Sequence, residues 1–239
     1  MPELSYVGSE LELFAHAERW KAYLASQLRG CLRGDVAEVG AGLGAFTKHL
    51  LAVPTRSWTC IEPDPQLLAA LRKELAHDVA NGRVRCVGGT LSDLPADECF
   101  DCILYIDVLE HIYDDRAELA QAARRLAPGG SLVVMSPAHD FLFSAFDQAI
   151  GHHRRYDVAS LSSAAPRELL CERMRYLDAV GMLASLANRF LLRRAQPTHS
   201  QIQLWDKRMV PLSRRLDPLL RHRLGKSILA IWRKPIELA

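Results

Sequence analysis

Apolar and polar positions change rhythm twice along this chain. Between residues 9 and 30, Leu11, Phe14, Trp20, Leu24 and Leu28 fall on one broad stripe at helical spacing, and Gly34 closes that region. Short apolar runs then alternate with helical stretches. Residues 36–39, 57–61, 83–87, 100–106 and 131–136 read as strands. Helices are expected over about 43–51, 66–79 and 115–126, and Pro128-Gly129-Gly130 reads as a turn into the fifth strand. Such alternation predicts a parallel sheet covered on both faces.

After Pro137 the rhythm breaks. Residues 138–157 form an aromatic- and His-rich connection too long for an ordinary loop. Residues 158–222 are mainly helical in pattern, with a strand near 171–177, and residues 226–233 read as a last strand. The expected division is an N-terminal helical cap segment over 1–33, a ligand-binding core over 34–137, and a lid, helical insertion and final strands over 138–239.

Composition narrows the class without naming the chemistry. With 49% hydrophobic and 24% charged residues in 239, the chain has globular proportions, and one elaborated domain is expected. No apolar run approaches the roughly 20 residues that span a bilayer; residues 180–192 come nearest and contain Asn188 and Arg189. Met1-Pro2-Glu3-Leu4-Ser5 lacks a basic start and an apolar run, so a soluble, cytoplasmic protein is expected, as a monomer or homodimer. Cys99-Phe100-Asp101-Cys102 spells C-x-x-C without a second such pair, and reads as two small apolar residues of a buried strand.

Charge is divided unevenly. Residues 1–150 hold 13 Lys and Arg against 21 Asp and Glu, whereas residues 151–239 hold 17 against 7. The basic half, with Arg189, Arg193, Arg194, Arg214, Arg215, Arg221 and Arg223, lacks interleaved aromatic platforms, which disfavours nucleic acid as a partner.

The chemistry concentrates at strand ends. In Glu38-Val39-Gly40-Ala41-Gly42-Leu43-Gly44 the glycines let backbone approach a ligand beside a helix N-terminus. The run also satisfies G-x-G-x-x-A, and Glu62 stands about 20 residues on, as in dinucleotide-binding oxidoreductases. Two features weigh against that reading. Glu38 is an acid at the end of a buried strand, costly unless paired and unsuited to a pyrophosphate. Asp107-Val108-Leu109-Glu110-His111 then adds an acid–acid–His cluster directly after the fourth strand.

These segments, with Cys60-Ile61-Glu62-Pro63, Gly89-Thr90-Leu91 with Asp93, and Leu126-Ala127-Pro128-Gly129-Gly130, resemble the class I S-adenosylmethionine-dependent methyltransferases. The resemblance is clear over about residues 34–137. It implies a doubly wound, Rossmann-like α/β fold whose seven strands lie in the order 3-2-1-4-5-7-6 with the last antiparallel. It places Gly40, Gly42 and Gly44 along the methionine portion of S-adenosylmethionine and Glu38 near its ammonium. Glu62 would take the ribose hydroxyls, Thr90 and Leu91 would flank adenine, and Asp107 and His111 would lie where cofactor and acceptor meet. Thr90 departs from the family's usual acid at its position. The implied activity is methyl transfer to a small molecule, in biosynthetic or secondary metabolism, through O, N or C. A catalytically silent binding subunit and an NAD-dependent oxidoreductase are the alternatives.

The segment Gly151-His152-His153-Arg154-Arg155-Tyr156 looks like part of a bacterial small-molecule subgroup. His111, His152 and His153 are candidate bases, required only if the acceptor has a proton to lose. Arg154 and Tyr156 would grip an acceptor, Arg154 implying an anionic one, with Phe143 and Phe146 as apolar walls. Each has a plainer alternative: Asp107 as a helix cap, His111 as a capping or solvated histidine, the basic cluster as a solvated turn. No metal is expected, because adjacent histidines point apart.

Overall fold

The apolar runs pair into one sheet. In a computed structural model that describes residues 10–187 and 198–236, strands β1 (Asp35–Val39), β2 (Ser57–Glu62), β3 (Val84–Gly88), β4 (Phe100–Ile106), β5 (Leu126–Pro137), β6 (Leu170–Leu177) and β7 (Ser227–Arg233) lie in the order β3-β2-β1-β4-β5-β7-β6. The first five strands run parallel, and β7 lies antiparallel to both β5 and β6. Arg189, Arg193 and Arg194 fall outside the described residues, as do Met1 to Ser5 and Asn188.

Alternation within the central strands explains burial on both faces. Cys102 and Leu104 of β4 join Val133 and Met135 of β5 and Leu229 and Ile231 of β7 on one side. Ile103, Tyr105, Leu132, Val134, Ile228, Ala230 and Trp232 join the opposite cluster. Cys102 is therefore core, while Cys99 is exposed just before the strand; both are free thiols, as are the other four cysteines.

Helix boundaries follow local chemistry more closely than the apolar pattern. The helix expected over 43–51 is reduced to α3 (Thr47–Leu50), because Gly42 and Gly44 hold φ at +57° and +74° and helical geometry cannot begin before them. The one expected over 66–79 is two, α4 (Pro65–Glu74) and α5 (Ala76–Ala80), broken at Leu75. The one expected over 115–126 is α6 (Asp115–Arg124), and α7 (Ala145–Ala149) and α8 (Val158–Ala164) follow β5. Asp64 caps α4 by accepting from the Gln66 and Leu67 amides, with Pro65 in the first turn. Pro128-Gly129-Gly130 is not a turn before the strand but an irregular stretch within β5, where pairing with β4 shifts between Phe100 and Cys102. Gly129 sits at φ +75°, and a Cβ on Gly130 would lie 2.8 Å from the Ala127 carbonyl.

Two sets of helices meet on one side. α1 (Glu10–Phe14) and α2 (Glu18–Leu28) pack with α9 (Ala179–Ala187), α10 (His199–Leu204), the π-helical turn Trp205–Met209 and α11 (Val210–Leu219). Buried carboxylates tie them: Asp206 accepts from the Trp20 amide at 2.9 Å, and Asp217 accepts from the Tyr23 hydroxyl at 2.8 Å and from the Asp178 and Ala179 amides. Among the described residues no helix is long and apolar enough to cross a membrane.

Tyr23→Phe removes one charge-assisted bond between the N-terminal helices and α11 while leaving Asp217 its two amide donors. Stability should fall by about 1–3 kcal/mol in chemical denaturation. An unchanged midpoint and slope would show that the two helical sets are not held through this contact.

Candidate active site

The carboxyl ends of β1, β2, β4 and β5 open into a cavity of about 1050 Å³, walled on the far side by Leu11, Phe14, Trp20, Ile202, Trp205 and Met209 of the helical layer. Its floor is made by chain reversals after each strand. After β1, the Gly40 and Ala41 amides donate to the Ile61 carbonyl. Gly40 (φ +68°) allows that approach, and a Cβ there would lie 2.5 Å from Val108. Gly42 faces the open cavity, its nearest neighbour being Leu11 at 3.7 Å from an added Cβ, and its amide donates to Glu62 Oε2 at 2.8 Å. Gly44 does other work: its Cβ position is 2.7 Å from Leu71, so it admits α4 against the turn and does not border the cavity.

The acids respond differently to their surroundings. Glu38 is buried and accepts from the Trp58 indole at 2.9 Å; burial pushes its carboxyl up to about 7, and the indole offsets only part of that. Glu62, at the end of β2, is also raised by burial, with the Asp64 and Gly42 amides opposing the shift. Asp107 follows β4 at φ +54°, its amide donating to the Met135 carbonyl, so the chain turns while sheet bonding continues. Its carboxylate opens to the cavity, where crowding by protein raises it to about 6 against the nearby charges of His152, Lys226 and Arg155.

Glu110 and His111 lie in the 3₁₀ turn Leu109–His111, beside His152. Glu110 is fully buried, accepts from Ser136 Oγ at 2.9 Å through Oε2, and has no hydrogen-bond partner at Oε1. Burial, then the neighbouring His152, push the His111 imidazole down to about 4. His152 Nδ1 meets Asp147 Oδ1 at 3.0 Å. Burial opposes the charge on Asp147, but His152, Arg155 and Ser144 outweigh it and hold the carboxyl well below the usual range.

Residues 37–134 match the family described as "Methyltransferase domain". Over these residues the chain is similar to class I S-adenosylmethionine-dependent methyltransferase domains. The chain is 32% identical over 133 residues to demethylmenaquinone methyltransferase of Tropheryma whipplei, covering 55% of this chain and 54% of that one. It is 24% identical over 127 residues to the mitochondrial ubiquinone biosynthesis O-methyltransferase of Schizosaccharomyces pombe, covering 52% and 46%. The chain thus spans about half the length of the curated relatives it matches. Solved structures show the same fold. Bradyrhizobium japonicum N-methyltransferase NodS with S-adenosyl-L-homocysteine has a TM-score of 0.57 at 17% identity, over 92% of this chain and 88% of that one. Haemonchus contortus phosphoethanolamine N-methyltransferase 2 with S-adenosyl-L-methionine has 0.64 at 14%, over 95% and 57%.

Of the residues singled out in sequence, the segment over 37–134 brings Glu38, Gly40, Gly42, Glu62, Thr90, Asp107 and His111 to the cavity, and the following segment adds Phe146 and His152. The remainder go elsewhere. Leu91 is fully buried in the core, and Phe143 lies off the cavity lining. His153 turns away, its ring edge-on to Tyr113 at 5.7 Å. Arg154 pairs with Asp115 at 2.7 Å in a separate surface recess of about 370 Å³. Tyr156 is 1% exposed and donates its hydroxyl to Asp115 at 2.7 Å, a core role rather than a grip on an acceptor. Arg155 and Lys226, given no role of their own in the sequence, do line the cavity; Arg155 pairs with Asp147 at 2.8 Å, and Lys226 lies 3.6 Å from Asp178 and 3.8 Å from the Trp205 ring centre.

Glu38 has a testable signature in the ligand-free protein. An unfolded carboxyl titrates near 4.5, the folded one near 7, so the folded state holds more protons between those values and stability falls as pH rises through that window. Glu38→Gln cannot titrate. Its melting temperature relative to the parent should therefore climb between about pH 5 and about pH 8. A constant difference across that range would mean the Glu38 carboxylate is ionised throughout.

Proposed function

We propose that this protein binds S-adenosylmethionine at the ends of β1 and β2 and transfers its methyl group to a small, largely apolar acceptor. The observation that carries the reading is the pairing of Glu62 with the Gly42 amide across the cavity floor. This arrangement sets a two-oxygen acceptor beside an uncrowded backbone turn, as a ribose and an amino-acid tail require. Glu38, raised by burial, gains a partner when an ammonium enters. Thr90, whose amide and hydroxyl donate to Asp93 Oδ2, borders the same compartment and is the residue we place near adenine. We read residues 10–33, 179–187 and 198–219 as a cap that excludes water from it.

The sulfonium is a good leaving group, so transfer depends mainly on orientation and dryness. An acceptor oxygen, nitrogen or carbon supplies an electron pair to the methyl carbon, the carbon–sulfur bond breaks, and S-adenosylhomocysteine leaves. Any proton on the acceptor atom passes to a base such as His111 or His152 or to solvent. Phe146, Leu142, Ile150, Ile202, Trp205 and Met209 give the acceptor side an apolar character, with His111, His152 and Asp107 as its polar edge. That shape suits a ring compound with a polar rim, in keeping with the quinone-related names of two relatives. The anionic acceptor that Arg154 implied loses its support, since Arg154 is engaged by Asp115 outside the cavity.

Calorimetry with S-adenosylhomocysteine tests the cofactor assignment. Gly42→Val projects methyl groups into the open cavity and should weaken binding at least about tenfold. Glu62→Ala should weaken it by one to several kcal/mol, as loss of charge-assisted ribose bonds requires. Normal binding by both variants would displace the site. For the acceptor, S-adenosylhomocysteine release should be greater with catechol- or quinol-type acceptors than with small amino-acid amines. Release from no acceptor in such a panel would favour a silent binding subunit.

A further inference from the structure

We propose that Glu110, His111 and His152 form a binding site for one divalent cation of borderline character, such as Zn²⁺, Mn²⁺ or Co²⁺, at the acceptor end of the cavity. One ligand atom from each residue lies within 4.8 Å of the other two. Two nitrogens and one carboxylate oxygen are the donor set such ions take, whereas Mg²⁺ and Ca²⁺ prefer oxygen alone.

Three independent features point to an ion. Glu110 Oε1 is buried without a hydrogen-bond partner, although its other oxygen is satisfied by Ser136. A buried carboxylate oxygen left without a donor is costly, and a cation removes that cost. His152 Nε2 stands 3.8 Å from this oxygen, too far for a hydrogen bond yet within the span of two bonds of about 2.0–2.2 Å to a common ion. Behind the ring, Asp147 fixes His152 Nδ1 at 3.0 Å and is itself held by Arg155 at 2.8 Å and by the Ser144 amide and hydroxyl. A carboxylate behind a histidine, with the far nitrogen presented forward, is the outer arrangement that metal-binding histidines use. His111, edge-on to His152 with ring centres 4.6 Å apart, closes the third side.

All three residues border the cavity, so three protein ligands leave a coordination position open toward it. Resting on the proposed methyl transfer, that position would hold an acceptor oxygen. The hydroxyl proton leaves to solvent as the oxygen binds the cation, and the oxygen lone pair then forms the bond to methyl carbon while the carbon–sulfur bond breaks. The cation's charge is unchanged throughout.

The test is binding of Co²⁺ alone to tag-free, metal-stripped full chain, followed by its visible absorption and by elemental analysis after gel filtration. About one ion per chain is expected with a nitrogen–oxygen spectrum, and at least about tenfold weaker uptake in Glu110→Gln and in His111→Ala. Each variant is first checked by circular dichroism and melting temperature against the parent, and either variant that folds like the parent suffices. Uptake that is absent in the parent, or equal in a folded variant and the parent, overturns the site. Chelation should also abolish turnover of a hydroxylated acceptor. Co²⁺ bound at full occupancy with no methyl transfer to any acceptor would sink the activity reading and the acceptor-holding role while leaving the ion site standing.

Discussion

A sheet buried on both faces confines its polar chemistry to the places where strands stop. β1, β2, β4 and β5 carry apolar side chains into two cores, and each ends in a residue that cannot remain there: Glu38, Glu62, Asp107 and Ser136 lie at or just beyond these ends. The three carboxyl groups, of Glu38, Glu62 and Asp107, border one cavity. Burial raises Glu38 and Glu62, desolvation by the surrounding cavity walls raises Asp107, and a cationic ligand is the natural relief for such a set. The Gly-rich turn and the Gly42–Glu62 bond are consequences of that geometry.

The second half of the chain completes what the first half leaves open. α1, α2 and the helical pieces after Ala179 supply an apolar wall, anchored by the buried carboxylates Asp206 and Asp217. The segment after β5 runs back along the cavity with its Ala138–Tyr156 bridge extending the sheet. It delivers His152 and Arg155 inward, and Asp147 organises both.

Much of the core was legible in the sequence because its signals are local. Short apolar runs located all seven strands to within a few residues, except that β5 begins at Leu126, where Pro128-Gly129-Gly130 reads as a turn in sequence and is a bulged part of the strand. Gly40 and Gly42 could be assigned to the cavity from the turn they occupy. Gly44 could not, since its neighbour is Leu71, a long-range packing partner. The basic cluster was the hardest to read: His152 and Arg155 face the cavity while His153 and Arg154 face away, an order with no strand period because residues 152–155 are irregular backbone. Sequence alone fixes neither that order nor the fact that Tyr156 closes a core. The divergence of adjacent histidines argued against a metal when only those neighbours were considered; the partners of His152 come instead from the turn after β4.

The central claim is that the ends of β1 and β2 hold the nucleoside. A structure of the protein with S-adenosylhomocysteine bound tests it most directly. The ribose hydroxyls should lie on the Glu62 carboxylate, the amino-acid tail along Gly40 to Gly42, and the sulfur toward Asp107. Ligand bound away from Glu62, or with its ribose turned from that carboxylate, would contradict the account.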